Sequence, residues 1–251
     1  MLLLNNDFIG YEPEKQNVLF SGSDTEELYN QNLKSKSNDW YYRTNQVSYI
    51  HNSNGHRCKE IKDIDLNNYI LYAGCSHTEG IGLELEKTYP YLFSKSLNCD
   101  YYNLGVGGSG IDVLLHNLIV WFGSVKQKPK LVVIQWPFWA RYARFTKEPT
   151  NESLHNTTIF AVSGIKDPTL MEGEGVHYFK TIEHLARIKI KHIIDVPTIN
   201  IGLDMYKSSI INNDFVIFNQ LDSARDLHLG IESHKNLASK LYNQMHKINT
   251  I

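Results

Sequence analysis

Cysteine is scarce in this chain and forms no pattern. Cys58, Cys75 and Cys99 are three in number, widely spaced and without a C-x-x-C pair. An odd, scattered set argues against a disulfide framework and for reduced thiols. A surplus of charge of either sign is also lacking. The 25 Lys and Arg against 27 Asp and Glu leave a net charge of −2. No basic run stands out, so nothing marks a nucleic-acid-binding or anionic-membrane surface. No apolar run approaches the length of a membrane span. Met1–Leu4 is apolar, but Asn5, Asn6 and Asp7 end it well short of the core of a signal peptide. A cytoplasmic protein is the expectation. No internal repeat is visible, and no His, Cys and Glu spacing suits a metal ion. A P-loop is absent because no G-K-[ST] follows a glycine-rich turn, and no cofactor is expected.

Ordinary globular composition is what the chain does have, with 42% hydrophobic and 21% charged residues. Its 251 residues suffice for one large domain with a real core. Residues 1–65 are polar and weakly periodic, and read as a loop-rich N-terminal extension packed onto the rest of the chain. Residues 66–251 read as the main domain. Short apolar runs there alternate with helical patterns. Tyr69–Ala73, Tyr101–Leu104, Leu131–Ile134, His192–Val196 and Phe215–Phe218 are the expected strands. Tyr89–Leu97, Ile111–Phe122, Val176–Ile190 and the segment from Ile231 are the expected helices. Ile111–Phe122 is apolar nearly all round and should lie deep, whereas Gln135–Gly175 reads as irregular. Strands alternating with helices imply a mostly parallel sheet covered on both faces, a three-layer α/β/α sandwich. Sites in such sheets form at the carboxyl ends of strands.

Three polar or glycine-rich clusters come directly after expected strands. In Gly74-Cys75-Ser76-His77-Thr78-Glu79-Gly80, a serine sits on a strand-to-helix turn. Such a serine can be a nucleophile if a base is near, or simply a helix N-cap. The G-x-S-x-G elbow is not met, because Thr78 stands in the last glycine position. Gly105-Val106-Gly107-Gly108-Ser109-Gly110 offers backbone N–H groups suited to an oxyanion, or a plain flexible turn. Its G-x-G-x-x-G spacing comes after the second strand and lacks the acidic residue that dinucleotide binding needs. The third cluster is Gln135–Arg141. A fourth, Asp222–Gly230, runs straight into the last helix and holds Asp226 and His228. A carboxylate two residues from a histidine can fix the tautomer of a general base, or both can sit on a surface turn. His234 lies on the apolar face of the last helix and reads as a core histidine.

Together these clusters resemble the GDSL/SGNH hydrolases. Gly74–Gly80 is similar to that family's first block, with Cys75 in place of Asp. Asn103–Gly110 is similar to the second and Asp226-Leu227-His228 to the last. Asn52–Arg57 resembles the N-S-x-G-[F/Y]-R stretch that precedes the first block in many members. The resemblance implies a flavodoxin-like sheet and a serine esterase with Ser76 as nucleophile, His228 as base and Asp226 as acid, ahead of its rival Asp222. It puts the oxyanion on the N–H groups of Ser76 and Gly108. His77, next to Ser76, can touch the substrate or play a structural part, and Gln135, Trp136, Trp139 and Arg141 are expected at the substrate pocket. Two departures stand out. Trp139 falls where the family has an asparagine oxyanion donor, which leaves an indole or the Gln135 amide to serve. The last block is Asp-x-His rather than Asp-x-x-His, with Arg225 in the acid's place. The variant first and third blocks are similar to phage-encoded members, which would make the protein virion-associated. The implied substrate is a small-molecule or glycan ester, a carbohydrate O-acetyl ester in particular. A non-catalytic binding protein on the same fold and an acyltransferase using the same serine are the alternative functions.

Overall fold

The computed structural model describes residues 2–5, 8–11, 17–138, 141–147, 157–162, 174–203 and 215–248. The N-terminal part is more ordered than its composition suggests. β1 (Leu2–Asn5) and β2 (Phe8–Tyr11) form an antiparallel hairpin. β3 (Asn17–Val18) pairs antiparallel with β4 (Tyr49–Ile50). Between them lies α1 (Glu26–Ser35). Thr25 caps this helix by accepting from Leu28 N at 3.2 Å, and Glu26 and Glu27 place negative charge in its first turn. The polar sequence hides α1 because few of its side chains are buried; Asn32 is the one that is.

The main sheet is built from the rest of the chain. β5 (Tyr69–Ala73) leads through a short turn, α2 (Ser76–Glu79), to α3 (Tyr89–Ser96) and β6 (Asp100–Asn103). Then come α4 (Ile111–Ser124), β7 (Leu131–Gln135), β8 (Tyr142–Lys147) and β9 (Thr157–Val162). The chain ends with α5 (Glu174–Ile193), β10 (Thr198–Leu203), β11 (Phe215–Phe218) and α6 (Ile231–Ile248). β6, β5, β7, β10 and β11 lie side by side in that order, every pairing parallel. Counted along the sheet's own strands, the order is the flavodoxin-like 2-1-3-4-5.

Two apolar cores flank the sheet and make it the middle of three layers. On one face Leu71, Ala73 and Val132 meet Leu118 and Trp121 of α4 and Ile190 of α5. On the other Ile70, Tyr72 and Val133 meet Phe93 of α3 and Leu237 and Leu241 of α6. All five residues of β5 and all five of β7 are buried, so neither strand alternates polar with apolar. The N-terminal part shares these cores, since Phe8, Cys58 and Ile64 pack in the α4 cluster. Asn117 on α4 grips β2 by accepting from Ile9 N and donating to Ile9 O, both at 2.9 Å, as a neighbouring strand would.

Three sequence expectations give way here. The stretch 135–175 is not simply irregular: β8 and β9 pair with each other, and β9 pairs with β1 across most of the chain. Nothing local signals a partner so distant. His192–Val196 is not a strand. α5 runs to Ile193, Ile194 packs in the core, and the strand begins at Thr198, beyond Pro197. A short apolar run cannot by itself separate the last turn of a helix from a buried strand. α4 is buried on one side only, with Ile119 45% exposed.

A buried ion pair ties the two ends of the chain together. Arg225 donates from Nε to Asp24 Oδ1 at 2.8 Å and from Nη2 to Oδ2 at 2.5 Å, and both side chains are almost fully buried. Its guanidinium also lies 4.7 Å from the centre of the Phe20 ring. Removing one partner strands the other charge without solvent. Asp24→Ala should therefore lower unfolding free energy by about 3–5 kcal/mol, measured by urea denaturation; a loss under about 1 kcal/mol would show that the pair is not holding these segments.

Candidate active site

Ser76 is the first residue of α2, just past the end of β5. It is 4% exposed, and its Oγ lies 2.8 Å from His228 Nε2. His228 Nδ1 lies 2.7 Å from Asp226 Oδ2. With the ring proton on Nδ1 and donated to the carboxylate, Nε2 is left to accept from the serine hydroxyl. Three side chains from the two ends of the main domain thus form one hydrogen-bonded line. Burial pushes the Asp226 carboxyl up, but the hydrogen bond and charge of His228, followed by the hydroxyl of Ser23, bring it below the usual carboxylate range.

The shortened Asp-x-His spacing is accommodated by backbone. Leu227 adopts φ +80, a left-handed conformation that non-glycine residues seldom take. The two side chains flanking it thereby meet: Asp226 accepts from the His228 backbone N–H at 3.3 Å as well as from its ring. Gly82, at φ +80, passes beside this loop so closely that any Cβ there would collide with Asp226 Oδ1. Asp222, the rival acid, is committed elsewhere. Its carboxylate accepts from Glu232 N at 3.0 Å and from Ser233 N and Oγ at 2.7 Å, capping α6.

The turn around Ser76 is held by bonds to the neighbouring strands. Gln135, at the end of β7, accepts at Oε1 from Cys75 N, Cys75 Sγ and Thr78 Oγ1, and donates from Nε2 to Trp136 O. Asn103, at the end of β6, donates to Thr78 O at 2.8 Å and accepts from Gly105 N at 2.9 Å. Arg57 donates to Gly80 O, Leu83 O and Ser48 O at 2.6–2.8 Å, fixing the loop that leaves α2. Glu79 is wholly buried and accepts from Gly107 N at 2.6 Å and Tyr11 OH at 3.0 Å, with His51 Nε2 3.4 Å away.

These bonds leave few backbone donors for an anion. In the glycine-rich turn the N–H groups of Gly105, Val106, Gly107 and Ser109 bond to Asn103 Oδ1, Gly74 O, Glu79 Oε2 and Val106 O. Gly108, at φ +72, is not among these donors. In α2 the carbonyl of Cys75 accepts from Thr78 and Glu79, while Ser76 N belongs to the unpaired first turn.

The other expected substrate residues take different places. Gln135 belongs to the turn around Ser76. Trp136 is 3% exposed, donates from Nε1 to Asn200 Oδ1 at 2.9 Å and lies beneath the Arg187 guanidinium. Gln135 Nε2 thus bonds to Trp136 O and the Trp136 indole to Asn200. Trp139 lies outside the described residues. His77 is buried with its ring packed edge-on against His228, centroids 4.7 Å apart. Burial, then the charges of His228, His234 and Arg141, hold its ring well below the ordinary histidine range. Arg141 is half-buried and bonds through its backbone N to Phe138 O. His234 is the core histidine its helix position implies, accepting from Tyr89 N at 2.8 Å.

Among the described residues no group of three or more His, Cys, Asp or Glu could hold a metal ion. Among the same residues no helix is long and apolar enough to cross a membrane. Sequence reasoning missed Ser23, Asp24 and the structural part played by Glu79. Glu79 sits inside the first block and could have been suspected; Ser23 and Asp24 carry no local signal.

No family model matches the chain, and no curated protein does. Solved structures are similar at low identity. An acetyl xylan esterase from the rumen bacterium Butyrivibrio proteoclasticus matches at 15% identity and TM-score 0.45, over 73% of this chain and 64% of its own. The chain thus spans somewhat less than two thirds of that enzyme. A carbohydrate esterase family 2 enzyme from Corynascus thermopiles matches at 14% and 0.46, over 79% and 73%. A G-D-S-L family lipolytic protein from Veillonella parvula matches at 11% and 0.43, over 70% and 96%. At such values the chemistry rests on the side chains of this chain alone.

The buried histidines predict an acid sensitivity. Burial lowers His56 and His234 from the usual 6.5 to about 3. The unfolded chain therefore binds more protons than the fold between those limits, and stability is lost as pH falls from 6.5 toward 3. Each ring contributes up to about 1.4 kcal/mol per pH unit. Urea unfolding between pH 7 and pH 5 should show the decline. His234→Asn, which keeps an acceptor for Tyr89 N, should flatten it by about one ring's share, and an unchanged slope would refute the assignment.

Proposed function

We propose that this protein is a serine ester hydrolase acting through a Ser76–His228–Asp226 triad. The observation that carries the reading is the continuous line from Ser76 Oγ through the His228 ring to the Asp226 carboxylate, at 2.8 and 2.7 Å. Surface turns and helix caps do not need a serine, a histidine and a buried carboxylate in series.

In the proposed reaction His228 Nε2 takes the Ser76 proton as Oγ bonds to the ester carbonyl carbon. The carbonyl oxygen becomes an anion beside the N–H groups of Ser76 and Gly108. Collapse breaks the carbon–oxygen bond to the alcohol, which leaves with the proton from His228. Water then repeats the sequence on the acyl-serine, releasing the acid and the free hydroxyl. Asp226 stabilises the imidazolium in both halves. With Gln135 and Trp136 committed elsewhere, two backbone donors carry the oxyanion. Losing one donor typically costs about 100–1,000-fold in rate, so turnover should be slow.

The resemblance to GDSL/SGNH esterases extends the reading to small acyl esters, a sugar-borne acetyl group among them. The sparse oxyanion site also favours a second reading, a binding protein that keeps the fold without the reaction. An acyltransferase would differ only in using an alcohol in place of water.

The purified protein should hydrolyse p-nitrophenyl acetate and take up a fluorophosphonate on Ser76. Ser76→Ala should lose at least about a thousandfold in kcat/KM and remain unlabelled. Equal rates for parent and variant would remove Ser76 from the reaction. A folded parent that neither turns over nor labels would favour the binding reading.

A further inference from the structure

The carboxylate of Asp226 has a third partner, from the opposite end of the chain. Ser23 Oγ lies 2.7 Å from Asp226 Oδ2, the same oxygen that faces His228 Nδ1, and 3.4 Å from Nδ1 itself. Resting on the triad reading, we propose that Ser23 is a positioning residue for the reaction, its hydroxyl fixing the charge and rotation of the Asp226 carboxylate against the His228 ring.

The geometry divides the carboxylate between two duties. Oδ1 accepts from the His228 backbone N–H. Oδ2 accepts from both the ring and Ser23. With Oδ2 held by two donors at equal distance, the carboxylate cannot turn away without losing both bonds. A hydroxyl on Oδ2 also draws off part of its negative charge, which weakens its hold on a proton.

Ser23 is placed by a rigid turn rather than by its own burial. Ser21 and Asp24 exchange backbone hydrogen bonds at 3.1 Å, and Gly22 between them adopts φ +61. Two adjacent residues of this turn grip two adjacent residues of the histidine loop. Asp24 holds Arg225, and Ser23 holds Asp226. Asn32 of α1 adds a bond to Arg225 O at 2.8 Å. The ionisable groups facing the site include Asp226 and His228, the His77 ring against His228 with Arg141 acting on it, the Tyr42 phenol near Asp226, and the closed Arg225–Asp24 pair one residue away. Asp222 lies in the same loop but is spent on α6. Ser23 is thus the one hydroxyl from outside the loop on the carboxylate among the described residues.

The roles of Ser23 and Asp24 differ, and the difference is testable. Asp24 contributes stability. Ser23 is exposed, so Ser23→Ala should fold with nearly parental stability, checked by circular dichroism and urea unfolding. On p-nitrophenyl acetate its kcat should fall about tenfold, the size of one hydrogen bond to a charged group, with KM unchanged. The Asp226 carboxyl, followed by carbon-13 NMR, should titrate at higher pH in Ser23→Ala, and Ser23→Thr should restore both parental values. A titration and kcat identical to the parent's in Ser23→Ala would overturn the proposal while leaving the esterase reading intact. If the parent hydrolyses no ester yet the Asp226 titration moves in Ser23→Ala and returns in Ser23→Thr, the hold of Ser23 on Asp226 stands and the esterase reading falls.

Discussion

β5 is buried on both faces and ends in a turn whose backbone is largely buried as well. Most polar groups in the turn after it find a protein partner, and those bonds organise the site. Gln135, Asn103, Arg57 and Glu79 come from four different segments and all converge on residues 74–83 or on the glycine turn beside them. An unpaired buried amide costs about as much as a lost hydrogen bond, so these side chains are held tightly to their tasks.

The histidine loop answers to a different constraint. It brings Asp226 and His228 together across a single residue, and a left-handed Leu227 makes that possible. A backbone conformation of that kind persists only when its surroundings impose it. Here the imposing partners are Asp24 and Asn32 on Arg225, Ser23 on Asp226, and Asp222 on the start of α6. The polar N-terminal part thereby becomes structural support for the histidine loop, well beyond covering the core.

How much of the fold and site is legible in the sequence varies with the range of the interaction. β5 and β7 announce themselves as short continuous apolar runs and α6 through helical periodicity, and the parallel sheet is implied by strands alternating with helices. Ser76 and His228 stand out because each lies in a recognisable turn. The acid is ambiguous until the helix-capping bonds of Asp222 take it out of contention. β8 and β9 are illegible because their partner β1 lies at the far end of the chain, and α1 because its faces are almost uniformly polar. Ser23 has no signal at all, being one serine of several in a polar stretch.

By itself, then, the sequence determined the layered α/β class, the order of the blocks, and which serine and histidine could meet at the carboxyl ends of the strands. These rest on local patterns, which depend only on neighbouring residues. The tertiary structure alone decided the distance across which they meet, 152 residues apart in sequence. It decided that Asp226 rather than Asp222 faces the ring, and that the remaining strand-end side chains brace the turn. Each of those outcomes depends on which buried polar groups compete for the same partner, and only the packed chain settles that competition.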